Sequence, residues 1–311
     1  MASFVDFERF SKSWLVAFAV ITVVYWIWFG LLVGFQTSDL NLYLLILFLF
    51  FFNKSSRQIF VLFSPFFIYL IFYSSLRELG RINPLNIHIE DLYKLEVQLF
   101  GINHEGTRIS VNEYFMEHAH ALLDLFAGSF YITWVPFPIF FAFIVFFSKK
   151  HKIAFDFWIA FFIANIFGFL GYIIYPAAPP WYYFEYGNEL INTVPCNAAG
   201  LARFDDMLGI NMYRAMYSQG TNTFGAIPSM HAAFPLLLVY YSLKFKNHWL
   251  TALFTLSLIG IWFGAVYSAH HYVIDMILGI VCGILGLIIT ELLVNRKFVP
   301  YWYKSALNFI R

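Results

Sequence analysis

The chain has 311 residues, of which 61% are hydrophobic, 22% aromatic and 12% charged, with a formal net charge of +1. Soluble domains carry about a quarter charged residues, and no water-facing surface absorbs 40 phenylalanines. The balance excludes a water-soluble fold and, lacking any basic run, a nucleic-acid partner. An all-α polytopic bundle integral to a membrane is expected. Its two cysteines, Cys196 and Cys282, form no Cys-x-x-Cys motif, and with Cys282 inside an apolar run no disulfide between them is expected.

About 20 apolar residues cross the hydrocarbon core as a helix. The first such run, Trp14–Phe35, is too long for a signal peptide and no small-residue cleavage site follows it, so it reads as a retained span. Leu42–Phe52 is short, and either extends outward through Ser38 or is re-entrant. Ile59–Leu76 is the third run, which makes residues 1–76 an N-terminal unit of three spans. The long polar segment Arg77–Leu125 follows. Within it, EDLYKLEVQLFG (Glu90–Gly101) spaces Leu92, Leu95 and Leu99 as a short interfacial helix, suited to shielding the spans or to touching substrate. Phe126–Phe147 and Ile153–Ile174 come next, then a second long segment, Tyr175–Pro228, rich in Pro, Gly and Asn yet too aromatic for disorder. Ser229–Phe245, Leu250–Ala269 and Asp275–Val294 complete eight expected spans, with six or seven as the alternative count.

Basic residues orient the bundle. With the N-terminus cytoplasmic, Arg9, Lys12, Lys54, Arg57, Lys149, Lys150, Lys152, Lys244, Lys246, Arg296, Lys297, Lys304 and Arg311 all fall inside, which is 13 of the 19 Lys and Arg. The two short outer loops have none, and short loops weigh most in the positive-inside rule. Both termini are therefore expected in the cytoplasm, with the two long segments on the periplasmic or lumenal side.

Ionisable groups at the lip of a span are functional suspects. His231 lies one turn into a span behind Pro228-Ser229, and His271 and Asp275 share the lip of the last span in SAHHYVID (Ser268–Asp275). On a helix, positions i and i+4 share a face, so Asp275 is expected to hold one ring nitrogen of His271 and leave the other nucleophilic. Ser229 can cap the helix that Pro228 opens, whose first N–H groups suit a phosphate, and an imidazolium at His231 would protonate a leaving oxygen. Each feature alone is also ordinary helix-start or lip chemistry; together, on one side of the membrane, they point to covalent phosphoryl transfer. Metal binding by His270, His271 and Asp275 is disfavoured because adjacent histidines face different ways on a helix. No metal and no other cofactor is expected.

These residues resemble the type 2 phosphatidic acid phosphatase superfamily, with its Pro-Ser-x-His and later His-x-x-x-Asp boxes. APPWY (Ala178–Tyr182), AGLARFD (Ala199–Asp205), FGAIPSMHAA (Phe224–Ala233), HHYVID, HALLDL (His120–Leu125) and PFPIF (Pro136–Phe140) resemble its inositol phosphorylceramide synthase branch. The resemblance covers about residues 80–295 and implies a catalytic membrane domain over residues 77–311. It implies His271 as nucleophile, Asp275 as its orienting partner and His231 as the acid and later the base. The superfamily's usual cations are absent: Gly168 and Tyr175 stand where its first box has Lys and Arg, and Gly264 and Ala265 where its third box has Ser-Arg. Arg203 is the first candidate to meet a phosphate, with Arg214, Arg77 and Arg81 behind it; a surface salt bridge to Asp205 or Asp206 is its plain alternative. His270 is a second phosphate donor or a bystander. Asp205, with Glu185 and Asp206, is a candidate for sugar hydroxyls. His120 and Asp124 form another i,i+4 pair, either a helix-entry cap or a recognition element. APPWY reads as a proline-fixed turn with Trp181 anchored at the interface.

The implied function is transfer of a phospho-head group, by resemblance phosphoinositol, from a phosphatidylinositol-like donor to a ceramide-like acceptor through a phosphohistidine. A lipid phosphatase of the same superfamily and a non-catalytic lipid transporter or scaffold are the alternatives.

Overall fold

A computed structural model describes residues 12–78, 87–191, 194–220, 222–295 and 299–311. Arg9, Arg81, Arg296 and Lys297, used above, lie outside the described residues.

Helix α1 (Lys12–Ile27) continues as a π-helical stretch, Trp28–Val33. The short second run lengthens outward into α2 (Thr37–Phe51), where the Asp39 carboxylate accepts the Gln36 N–H and caps the start. After α3 (Lys54–Ser75), Arg77 reaches back to Asp39 in a buried ion pair at 2.7 Å, tying the N-terminal hairpin to the end of α3. The first long polar segment is built rather than loose over its described residues from 87 on. It holds α4 (Glu90–Phe100), a two-stranded antiparallel hairpin of β1 (Ile102–His104) and β2 (Thr107–Ile109), and α5 (Val111–Glu117). Next come α6 (Ala121–Tyr131) and α7 (Pro136–Phe147), expected as one span but bent by 50° across the turn Ile132–Trp134. Pro136 cannot donate the bond that would continue the helix. Then α8 (His151–Ile174) leads into the second long segment with α9 (Pro180–Tyr186), α10 (Ala202–Leu208) and α11 (Met212–Tyr217). The chain closes with α12 (Met230–Phe245), α13 (His248–Tyr267), α14 (Val273–Val294) and α15 (Tyr301–Ile310).

All eight expected apolar runs are helical. Among the described residues, five helices have spanning length, and the bent pair α6–α7 makes a sixth. The other two, α2 with 15 residues and α12 with 16, are shorter. For α12 the reason is placement: it packs against α8, α13 and α14 and buries most of its side chains, so protein surrounds it more than lipid.

Large aromatic side chains such as Phe141, Phe157, Trp158 and Tyr241 fill the core, while small residues make the contact between α8 and α14. On α14, Gly279, Gly283, Gly286 and Thr290 face the bundle, while Ile277, Val281, Ile284, Ile288 and Leu292 are exposed toward the hydrocarbon. A Cβ on Gly286 would come within 2.6 Å of the Ala160 carbonyl, so α8 and α14 touch backbone to backbone. Helix direction separates the ends. The starts of α12 and α14 and the ends of α8 and α13 meet at one end of the bundle, and Lys54, Arg57, Lys150, Lys152 and Lys246 mark the other ends of the same or neighbouring helices.

Candidate active site

The site is two helix starts joined through their backbones. Ser229 stands just before α12, and its N–H donates to the carbonyl of Asp275 in the first turn of α14 at 2.9 Å. The expected capping role of the Ser229 side chain is not seen: its buried hydroxyl makes no hydrogen bond. His271 precedes α14 rather than lying on it, because the helix begins at Val273. Asp275 accepts the Tyr272 N–H at 2.9 Å and its carboxylate lies 3.5 Å from Nδ1 of His271, longer than a formed hydrogen bond. The two are thus brought together by a turn-to-helix contact instead of a shared helix face.

The turn is held tightly. The Ala265 carbonyl accepts the N–H groups of both His270 and His271, at 3.1 and 3.0 Å. From α5, the Asn112 side chain donates to the carbonyls of His271 (2.9 Å) and Val266 (2.8 Å). From α4, the Glu96 carboxylate accepts the N–H groups of Val273 (3.0 Å) and Ile274 (3.1 Å), the first free donors of α14. Both clamps are fully buried, and burial lifts the Glu96 carboxyl to about 7 against those two hydrogen bonds. Sequence reasoning missed Glu96 and Asn112. The available signal was that Glu96 lies four residues after Leu92, on the face of α4 that turns inward.

His231 projects from the first turn of α12, and its Nδ1 lies 3.0 Å from Nε2 of His271. Its ring sits 4.9 Å from those of Tyr131 and Trp134. His270 turns the other way. Its Nε2 donates to the Ala198 carbonyl at 2.9 Å and its ring stacks on Tyr217 at 4.4 Å. Burial depresses both histidines of the turn, His270 to about 3 and His271 to about 4, so both are neutral near pH 7. With the Asp275 carboxylate favouring a proton on Nδ1 of His271, Nε2 keeps its lone pair, and His231 must be the donor in the pair.

A cleft with about 1040 Å³ of empty space, counted out into open solvent, opens onto His231, His270 and His271. Among the described residues no lysine or arginine lines it; Asn165, Asn197, Asn222, Thr223, Tyr172 and Tyr217 supply polar groups. Trp181 belongs to this wall, 4% exposed, rather than to an interfacial anchor. Of the candidate cations, Arg203, Arg214 and Arg77 pair with acids elsewhere, and Arg81 lies outside the described residues. Arg203 donates through Nε to Asp124 at 2.7 Å and lies over the Tyr267 ring at 5.2 Å, so its partner is Asp124 and not Asp205 or Asp206. Arg214 pairs with Asp206 at 2.8 Å, and Arg77 with Asp39. Asp205 is fully buried and accepts the N–H groups of Tyr213 and Arg214, capping α11. The His120 ring accepts the Leu122 N–H and caps α6, so the His120 and Asp124 side chains serve separate contacts. Both cysteines are free. Among the described residues one group has the spacing of a metal site, His104, Glu117 and His118; His270, His271 and Asp275 do not form one.

A helical membrane bundle with a histidine pair buried at one end, backed by a carboxylate, belongs to a recognisable class. The chain is a member of the PAP2 superfamily, whose family model matches residues 90–289. It is 39% identical over 282 residues to the phosphoinositol dihydroceramide synthase of Bacteroides thetaiotaomicron, which covers 90% of this chain and 92% of that protein. It is 29% identical to the inositol phosphorylceramide synthase of Candida albicans over 79% of this chain and 50% of that one. Against the catalytic subunit of the Saccharomyces cerevisiae inositol phosphorylceramide synthase it is 36% identical over 37% of this chain and 29% of that subunit. The chain therefore spans half or less of these fungal relatives. No solved structure matches it significantly.

Proposed function

We propose that the chain is an integral membrane lipid phosphotransferase that moves phosphoinositol from a phosphatidylinositol-like donor to a ceramide-like alcohol. The observation that carries this reading is the 3.0 Å contact between His231 Nδ1 and His271 Nε2 in the cleft. It sets an N–H donor beside a lone pair at the wall of the cleft, so that a bound phosphate would meet Nε2 of His271 with the His231 N–H at hand for its leaving oxygen. In the first displacement, Nε2 of His271 forms a bond to phosphorus, the bond to the diacylglycerol oxygen breaks, and His231, entering the step as the imidazolium beside the anionic phosphate, protonates that oxygen and becomes neutral. In the second, His231 takes the proton of the acceptor hydroxyl, whose oxygen displaces His271. Two inversions retain configuration at phosphorus.

Among the described residues the anion is met by imidazole, amide and hydroxyl donors of the cleft and by the first N–H groups of α12. Arg203 acts on the Tyr267 side, bracing the entry to the histidine turn. The names and 90% coverage of the bacterial relative support the head group and acceptor class. Loop charges support cytoplasmic termini and a cleft on the periplasmic or lumenal face.

The test supplies head-group-labelled phosphatidylinositol and fluorescent ceramide to detergent-solubilised protein, comparing wild type with His231→Ala and His271→Ala. Label should reach ceramide only with wild type. Equal product from all three would sink the mechanism, and release of free phosphate without labelled ceramide would assign the chain to the phosphatases.

A further inference from the structure

The outer elements that clamp the histidine turn meet at a second cluster. Helix α4 holds α14 through Glu96, and β2 is latched to the end of α4 because Arg108 donates to the carbonyls of Val97 (2.9 Å) and Gln98 (3.1 Å). Helix α5 holds the same turn through Asn112. His104 at the end of β1 faces Glu117 and His118 at the end of α5, and one ligand atom from each of the three lies within 4.8 Å of the others.

We propose that His104, Glu117 and His118 form a binding site for a divalent transition metal of the zinc class, fastening the α4–hairpin unit to α5. Two observations carry this. The first is the donor set: two imidazoles and a carboxylate with a free fourth position for water is a set that zinc takes. The Nε2 of His104 lies 3.3 Å from Glu117 Oε2. That matches the roughly 3.3 Å between ligands that metal bonds of about 2.0 Å give at the tetrahedral angle. The second is orientation. The Nδ1 of His118 lies 2.9 Å from the Tyr114 carbonyl, which can only accept, so Nδ1 carries the proton and Nε2 keeps its lone pair. Stacking on Tyr114 at 4.2 Å fixes the plane of that ring. A histidine whose second nitrogen donates to a backbone carbonyl is the arrangement metal-ligating histidines adopt. A plain ion pair between His104 and Glu117 would need neither the His118 tautomer nor its fixed ring.

The cluster contains none of the histidines that line the cleft, so the metal has a structural role and takes no part in the transfer steps. The test uses the untagged full chain in detergent, stripped with chelator and titrated with zinc chloride. Bound metal is counted by elemental analysis after dialysis, and Co²⁺ substitution is followed by its visible absorption. We expect one Zn²⁺ per chain, a higher melting temperature with zinc, and a four-coordinate cobalt spectrum. His104→Gln, His118→Gln and Glu117→Gln should each weaken binding by about tenfold or more, while His120→Gln, two residues from His118, should leave it unchanged. Absence of stoichiometric zinc in wild type overturns the proposal. So does zinc that persists in His104→Gln and His118→Gln and disappears in His231→Ala and His271→Ala, since the metal would then sit on the cleft histidines.

Discussion

Arg203 donates through Nε to Asp124 at 2.7 Å, and the hydroxyl of Tyr267 reaches the same carboxylate oxygen at 2.9 Å. Three elements, α6, α10 and α13, are thereby locked beside the turn that carries His271. The Asp124 side chain is 8% exposed and that of Arg203 31%. Arg203→Met strands a nearly buried carboxylate, and we expect a loss of about 2 kcal/mol, below the cost of breaking a fully buried pair because the arginine is partly solvated. Adding Asp124→Leu removes the stranded charge and should recover most of that stability. Because Arg203 does not line the cleft, lipid transfer should recover too, to within about threefold of wild type. Thermal unfolding and transfer assays on the single and double variants decide the matter. A double variant that is stable yet inactive would move Arg203 into phosphate binding.

Glu96 holds α14 by accepting two backbone N–H groups, and Glu96→Gln replaces one acceptor oxygen with an NH₂ facing a donor. The expected cost is about 1–3 kcal/mol, the price of a buried group left unsatisfied. Transfer should slow through kcat with KM little changed, since Glu96 supports the nucleophile's turn and does not line the cleft. The carboxyl also gives stability a pH dependence. Its folded value of about 7 stands above the ordinary 4.5, so between these the folded state binds more protons than the unfolded. That stabilisation is complete below about 4.5 and is lost as pH rises through 7. The wild type minus Glu96→Gln difference in melting temperature should therefore shrink from pH 5 to pH 8. A difference that does not change with pH would contradict the assignment.

His271 predicts the opposite slope. Burial holds it at about 4 instead of 6.5, so in that window the unfolded chain binds the proton and the folded chain does not. Its contribution to stability is present above 6.5 and declines as pH falls toward 4. As the proposed nucleophile, His271 stays neutral across the same range, so the acid limb that it causes in kcat/KM should lie near 4. A pH–rate profile on purified enzyme checks this, and an acid limb centred near 6.5 would mean that another group is the nucleophile or that the site is hydrated.

Much of this arrangement was legible before any coordinates. Apolar run lengths placed all eight helices, because a bilayer imposes length on whatever crosses it. Loop charge and motif order put His231, His271 and Asp275 at one end, and the structure joins them. What stayed hidden depends on contacts between segments far apart in the chain. Glu96 reads as part of an amphipathic surface helix until its partners, 177 and 178 residues away, are known. Asp205 reads as a substrate ligand, yet its carboxylate caps α11. Arg203 stands beside two acids in sequence and pairs with a third on another helix. Spacing identifies which residues share a face, and it is silent on which distant backbone supplies their partners. The break before Pro136 was readable from proline chemistry and was passed over because the apolar run is continuous.

Gly279 sets the distance on which the chemistry depends. It lies one turn after Asp275 on α14, and a Cβ there would collide with the Ser229 carbonyl. Ser229 is also bonded to the Asp275 carbonyl, so two successive turns of α14 press on the segment that delivers His231. Gly279→Ala cannot be relieved by a rotamer change, because an alanine methyl has none and the group it meets is backbone; the helices must separate. We expect a loss of about 3 kcal/mol, at the upper end for overpacking. A displacement of about 1 Å between His231 and His271 would slow transfer by about a hundredfold. Gly283→Ala, one turn further along, meets the tip of Leu236 at 3.2 Å and the backbone Cα of Ala233 at 3.3 Å, against 1.9 Å to the Ser229 carbonyl at Gly279, and should cost much less because a few tenths of an ångström relieve it. Gly30→Ala, with nothing within 4 Å, serves as the neutral control. Thermal unfolding and single-turnover labelling of the three variants order them, and full activity in Gly279→Ala would show that the spacing of α12 and α14 does not set the histidine contact.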